Sequence, residues 1–142
     1  MNLARLQLAS ATRQRDLMAQ CIANDSGSDH LRNFFEACWH IKDHARAALP
    51  ASEHNRLERD VVSARVFNIV ADVANRSKHV ILTKSDRTGA AVTFKAISAF
   101  GGATPASATY SIDLADGSRC DALQIANEAL VEWDRLLSSY GL

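Results

Sequence analysis

The chain has 142 residues, the usual size of one domain, and its apolar fraction of 47% and charged fraction of 23% are typical of a globular protein. This composition excludes a disordered or fibrous chain, and the apolar stretches are too short for a membrane-spanning helix. Sixteen basic residues balance sixteen acidic ones, so the net charge does not indicate a membrane or nucleic-acid partner, although a local patch could still bind nucleic acid.

The cysteines indicate the cellular compartment. Cys21, Cys38 and Cys120 form an odd set without a CxxC pair, which fits a reducing environment better than a disulfide framework. The first ten residues include Arg5 and lack the continuous apolar core of a signal peptide. We therefore expect a cytoplasmic protein whose cysteines are buried in its core.

Residues 1–79 are predicted to form three helices. The segment 2–24 lacks Gly and Pro and repeats its leucines at near-helical spacing, which predicts the first helix. After a turn-forming segment, a second helix is predicted over 29–49, where Pro50 ends it. Ser52 then caps a long third helix that continues to Lys78. Because the connection is short, the second and third helices are expected to form a long antiparallel hairpin.

After His79 the hydrophobic pattern changes from a period of roughly 3.6 residues to about 2, which indicates strands. β-branched and aromatic residues at 80–83 and 91–94 flank a turn-like segment and predict a hairpin. A third strand is predicted over 108–114, before the turn signal Asp116-Gly117. The segment 80–119 is therefore expected to be a small three-stranded antiparallel sheet.

From Asp121 to about Ser139 the apolar residues return to helical spacing and predict a C-terminal helix with a broad apolar stripe. The sequence contains no internal repeat and no second domain. The expected fold is thus a single α+β domain of mostly helical character over 1–142, with a helical part (1–79), antiparallel strands (80–119) and a C-terminal helix (120–142).

One polar stripe is predicted on the second helix. Glu36, His40, Asp43 and His44 lie within an arc of about 100° at helical spacing. Carboxylates and imidazoles one turn apart can bind zinc, iron or manganese, so the four residues are candidate metal ligands. His40 and Asp43 are also candidate ligand-binding residues. The alternative is a solvated or ion-paired surface, and nothing in the sequence identifies a cofactor.

A second polar stripe follows the predicted third helix and includes Arg65, Asp72, Asn75, Arg76 and His79. In an antiparallel hairpin the two stripes can face each other. They would then form either a hydrogen-bonded seam that fixes the register of the helices or a cleft that binds a ligand. In the cleft, Arg65 and Asn75 would contact the ligand.

The cleft would also supply acid–base chemistry. His79 and His40 would act as acid and base there, while Arg76 and Lys78 would hold an anion or phosphate. Capping offers a simpler reason for cations at this position, because they interact favourably with the C-terminal end of a helix. Phosphate loops, GxGxxG, GxSxG and HExxH motifs are absent from the sequence, which argues against the common nucleotide-binding, hydrolase and metalloprotease sites.

Three segments together resemble a family of small uncharacterised bacterial and phage proteins. They are residues 34–43 (FFEACWHIKD), residues 72–79 (DVANRSKH), and Asp116-Gly117 followed by Asp121-Ala122-Leu123 and Trp133. This resemblance covers most of the chain and implies the same order of elements, without naming an activity.

Residues 75–79 also resemble the end of a helix in the HEPN superfamily of helical nucleotide-binding and ribonuclease domains, found in toxin and phage-defence systems. This resemblance implies action on RNA or a nucleotide. His79 would be the acid and base, with Asp72, Arg76 and Lys78 around the phosphate. The separation of Arg76 and His79 is shorter than the Arg-to-His spacing of the ribonuclease members.

Three hypotheses of function follow. The first is a non-catalytic interaction or ligand-binding domain that forms a homo-oligomer or binds a protein partner. It would do so through the apolar surface of the second or the C-terminal helix. The second is a HEPN-like enzyme, toxin or defence component, and the third is a metal-binding helical protein.

Overall fold

The computed structural model describes residues 2–20, 25–78, 91–95, 109–114 and 116–142. These residues form a mostly helical fold with a small antiparallel sheet, and the following bounds define its elements. The helices are α1 (Leu3–Gln20), α2 (Asp25–Ala48), α3 (Ala51–Ser63), α4 (Arg65–Lys78) and α5 (Ala122–Ser139), and the strands are β1 (Ala91–Lys95), β2 (Thr109–Asp113) and β3 (Arg119–Asp121).

Helix α1 runs antiparallel to α2. Near the start of α1, Gln7 Nε2 donates a hydrogen bond of 2.9 Å to the carbonyl oxygen of Ala37. Near its end, Gln14 Oε1 lies 3.4 Å from His30 Nδ1. The buried face of α1 consists of small side chains and of side chains that are not branched at Cβ: Ala4, Leu8, Ala11 and Met18. The first predicted helix is confirmed as far as Gln20.

The prediction of one long third helix over 52–78 is wrong. The chain forms two helices there, because Ala64 adopts an extended backbone with φ of −88° and ψ of 115°. Asn68 Nδ2 donates to the carbonyl oxygen of Val62 at 2.8 Å, and so satisfies an acceptor that the break leaves without a helical partner. In the described residues, four helices therefore precede the sheet, and no Gly or Pro marks the break in the sequence.

Helix α4 is the central helix of the fold. It packs against α2, α3, α5 and β1, and all its residues from 69 to 74 are buried. A helix that is buried on all sides is normally apolar all round. Asp72, at 1% exposure, is the charged residue of this buried stretch.

Helix α5 covers the core with its apolar stripe. Trp133 is fully buried at the middle of this stripe, and its ring centroid lies 4.3 Å from that of Phe67 on α4. Asp121 is the N-cap, and its Oδ2 accepts a hydrogen bond of 2.8 Å from the backbone N–H of Gln124. The predicted C-terminal helix is confirmed.

The strands pair in chain order. β1 is antiparallel to β2, with Val92 opposite Ile112, and β2 is antiparallel to β3, with Ile112 opposite Cys120. Gly117 turns the chain between β2 and β3 with a positive φ of 83°, which Gly adopts without strain. β1 and β2 overlap the strands predicted over 91–94 and 108–114. The strand predicted over 80–83 and its hairpin turn lie outside the described residues.

The C-terminal end of α5 is held by α1 and α3. Arg5 on α1 donates to Ser138 Oγ at 2.8 Å and to the carbonyl oxygen of Leu142 at 2.9 Å, and it also pairs with Asp134. On the other side, the hydroxyl of Tyr140 donates to Asp60 of α3 at 2.7 Å. These contacts fix the start of α1 and the last part of α3 against the C-terminal end of α5.

Candidate functional site

The polar stripe of α2 is present as a partly exposed surface. Glu36, His40 and His44 are half-buried, and Asp43 is exposed. Within the described parts of the chain, no three His, Cys, Asp or Glu side chains are arranged to hold a metal ion. The structure therefore adds no support to the prediction of a metal site at these four residues.

The contacts between α2 and α3 centre on Glu58, whose partners on α2 were not predicted from the sequence. Its carboxylate oxygens lie 3.6 Å from Lys42 Nζ and 3.3 Å from an Arg46 guanidinium nitrogen. Lys42 Nζ also lies 4.6 Å from the ring centroid of Trp39. Lys42 and Glu58 are equally distant from Pro50 along the chain, and this symmetry was a signal for their pairing. Such partly exposed ion pairs stabilise a fold by roughly 0.2–1 kcal/mol each.

Arg65 is the first residue of α4, and its exposed side chain interacts electrostatically with Asp116 in the β2–β3 turn. The pKa of the Asp116 carboxyl is below its usual value mainly because Ser118 donates hydrogen bonds to it, and the positive charge of Arg65 contributes to the shift. The interaction that the structure gives Arg65 is therefore with a turn at the surface.

The residues of the second polar stripe do not share one environment. Asp72 is buried within α4 and Asn75 is half-buried one turn later. Arg76 and Lys78 belong to the last part of α4, while His79 lies outside the described residues. A buried carboxylate requires hydrogen bonds or a charged partner, because its desolvation is otherwise too costly. Asp72 is therefore suited to orienting neighbouring groups from within the core.

Cys38 is a buried thiol beside Trp133. Burial raises its pKa to about 12, and an interaction with the Trp133 side chain partly opposes the shift. That interaction is weak, because the buried indole nitrogen has no hydrogen-bond partner of ordinary geometry. The thiolate is the reactive form of cysteine, so Cys38 is chemically inert near neutral pH. The expected burial of cysteines is confirmed for Cys38, whereas Cys120 is half-buried and Cys21 lies outside the described residues.

Among the described residues, the row of exposed large apolar side chains lies on α1. The expectation that α2 and α5 leave their apolar stripes exposed is wrong, because α2 packs against α1, α4 and α5, and α5 also covers β2. On α1, by contrast, Leu3, Leu6 and Leu17 are 56%, 47% and 39% exposed. They lie on the side of α1 that faces away from its buried residues.

Comparison of the chain with protein-family models, curated proteins and solved structures found no match. The two resemblances noted in the sequence therefore stay predictions. Among the helices that the structure describes, none combines the length and the apolar character needed to cross a membrane.

Proposed function

We propose that this protein is a non-catalytic interaction domain that binds a protein partner or a second copy of itself through the outer face of α1. This outer face comprises Leu3, Leu6, Ser10, Arg13 and Leu17. The observation that supports the proposal is the exposure of its three leucines. Burial of apolar surface stabilises a complex by roughly 25 cal/mol per Å², so these leucines would contribute to binding any partner that covers them.

The arrangement of the leucines distinguishes them from other exposed apolar residues. Val62 and Val131 are also exposed, at 52% and 71%, but each stands alone on its helix. Single exposed apolar residues are common and carry no functional meaning, whereas a row of them is typical of a binding surface.

The outer face is held on a rigid support. Arg5 joins α1 to the end of α5, and Arg15 donates a hydrogen bond of 2.7 Å to Asn127 in the first half of α5. Gln7 joins α1 to α2 on the other side. A surface that is already ordered loses little conformational entropy on binding, which favours its use as an interface.

Site-specific photo-crosslinking in producing cells tests this proposal. A photo-reactive amino acid at Leu6 is expected to give a defined covalent adduct, because Leu6 lies within the proposed interface. The same amino acid at Val131 is the matched control, since Val131 is more exposed but lies off the outer face. Adducts are measured by gel mobility and mass spectrometry. Equal or weaker adduct formation at Leu6 than at Val131 would contradict the proposal.

A second candidate function is supported by the buried carboxylate of Asp72. In a HEPN-like enzyme, Asp72 would orient the polar residues that follow it on α4, while His79 transfers protons and Arg76 and Lys78 bind phosphate. This hypothesis predicts that purified protein degrades RNA or modifies a nucleotide, and that His79→Ala abolishes turnover while the circular dichroism spectrum is unchanged. Inert protein, or full activity of His79→Ala, would eliminate this candidate.

A further inference from the structure

We infer that the occupant of the outer face of α1 is the same face of a second copy, packed antiparallel across a two-fold axis. This inference rests on the proposed function and names its partner. The reasons are the spacing of the residues, the complementarity of the face with itself, and the charge of Arg13.

The residues of the outer face have the spacing of a coiled-coil seam. Leu3, Ser10 and Leu17 recur every seven residues, and Leu6 and Arg13 occupy the intermediate positions of the same repeat. Alternating steps of three and four keep such a row nearly parallel to the helix axis, so another helix can follow it over its whole length. A single turn of a loop would cover only part of this row.

The face is complementary to itself in the antiparallel orientation. In this orientation, the residues that recur every seven positions face the intermediate residues of the second copy. Leu6 therefore lies against Leu17 of the second copy and, by symmetry, Leu17 lies against Leu6. At the centre, Arg13 faces Ser10 of the second copy, where the guanidinium can donate a hydrogen bond to the hydroxyl oxygen. Leu6 and Leu17 thus meet apolar groups and two donors meet two acceptors, whereas Leu3, at the end of the row, faces Gln20 of the second copy.

The charge of Arg13 selects between the two orientations. A parallel pair would place the two Arg13 side chains opposite each other, and like charges across an interface are unfavourable. The antiparallel pair separates them and gives each one a hydroxyl. Arg13 is exposed, and no ion pair joins it to another residue in the described parts of the chain.

The size of the face predicts a weak dimer. α1 contains 18 residues and is therefore about 27 Å long, which limits the contact to a few turns of each helix. Interfaces that bury less than about 1,200 Å² in total are typical of transient complexes. We expect a monomer–dimer equilibrium with a dissociation constant on the order of micromolar.

Disulfide trapping tests the orientation. Leu6→Cys and Leu17→Cys are each made in a background in which Cys21 and Cys120 are replaced by Ser, which leaves only the buried Cys38. A mixture of the two variants is expected to form a disulfide-linked heterodimer faster than either variant alone forms a homodimer. Faster linkage of Leu6→Cys with itself would overturn the antiparallel arrangement, and no linkage in the mixture would overturn the dimer.

Sedimentation velocity at about 100 μM, well above the expected dissociation constant, tests the dimer in the unmodified chain. The parent is expected to be largely dimeric, Leu6→Glu monomeric, and the control Val131→Glu dimeric. A monomeric parent, or an unchanged dimer in Leu6→Glu, would overturn the inference. The inference can fail while the proposed function stands: a Leu6 photo-adduct with a different protein would keep the interaction domain and exclude the second copy as its partner.

Discussion

Replacement of Trp133 with alanine is expected to lower the free energy of unfolding by about 3–5 kcal/mol, the range measured for large aromatic side chains in protein cores. Trp133 is fully buried and packs on Phe67 and Cys38, so its removal opens a cavity at the junction of α2, α4 and α5. The change exceeds half of the total stability of many domains, which is about 5–15 kcal/mol. Urea denaturation followed by far-ultraviolet circular dichroism measures it.

The control for this experiment is Val131→Ala on the same helix. Val131 is 71% exposed, so its truncation is expected to change the free energy of unfolding by less than about 0.5 kcal/mol. A Trp133→Ala protein as stable as Val131→Ala would contradict the placement of Trp133 in the core.

Alkaline pH is expected to destabilise the protein through Cys38. Its pKa is raised from 9.0 to about 12 in the folded protein, so the unfolded chain releases this proton first as the pH rises. The contribution of the thiol is therefore constant below pH 9 and declines between 9 and about 12. The decline approaches about 1.4 kcal/mol per pH unit and amounts to about 4 kcal/mol over the whole window.

Variants separate this effect from other titrations. Cys38→Val is expected to flatten the fall in stability above pH 9, whereas Cys120→Ser, which replaces a half-buried thiol, is expected to keep it. Burial and the hydrogen bond to Asp60 raise the pKa of Tyr140 from 10.0 to about 12, so Tyr140→Phe removes a second contribution that begins near pH 10. Denaturation midpoints measured from pH 8 to 11 report how the stability of each of the three variants depends on pH. An unchanged slope in Cys38→Val would refute the assignment to Cys38.

The periodicity of the sequence was sufficient to predict several elements. α1, α5 and most of α2 follow from apolar residues at helical spacing, although α2 begins at Asp25, inside the segment predicted as a turn. β1 and β2 overlap segments rich in β-branched residues. Pro50 ends the second helix, and Asp121 begins the last one as its N-cap. These features depend on local backbone preferences, which the residues themselves carry.

Other features depend on contacts between distant segments. Ala64 breaks the predicted third helix although alanine favours helices, because Asn68 compensates a lost hydrogen bond and α4 turns into the core. β3 is only three residues long and exists through its pairing with β2. The break at Ala64 has no signal in the local sequence, and the turn signal Asp116-Gly117 indicates only where β3 can begin.

Local patterns in the sequence account for most of the helical residues and for the apolar faces of the helices. Which apolar face stays exposed depends on the packing, because α2 and α5 are covered by several neighbours while the outer face of α1 is covered by none of the described elements. The tertiary structure also placed Asp72, which was predicted to lie on a polar stripe facing the second helix, in the buried stretch of the central helix. Burial depends on what surrounds a residue, and the pattern within one helix does not contain that information.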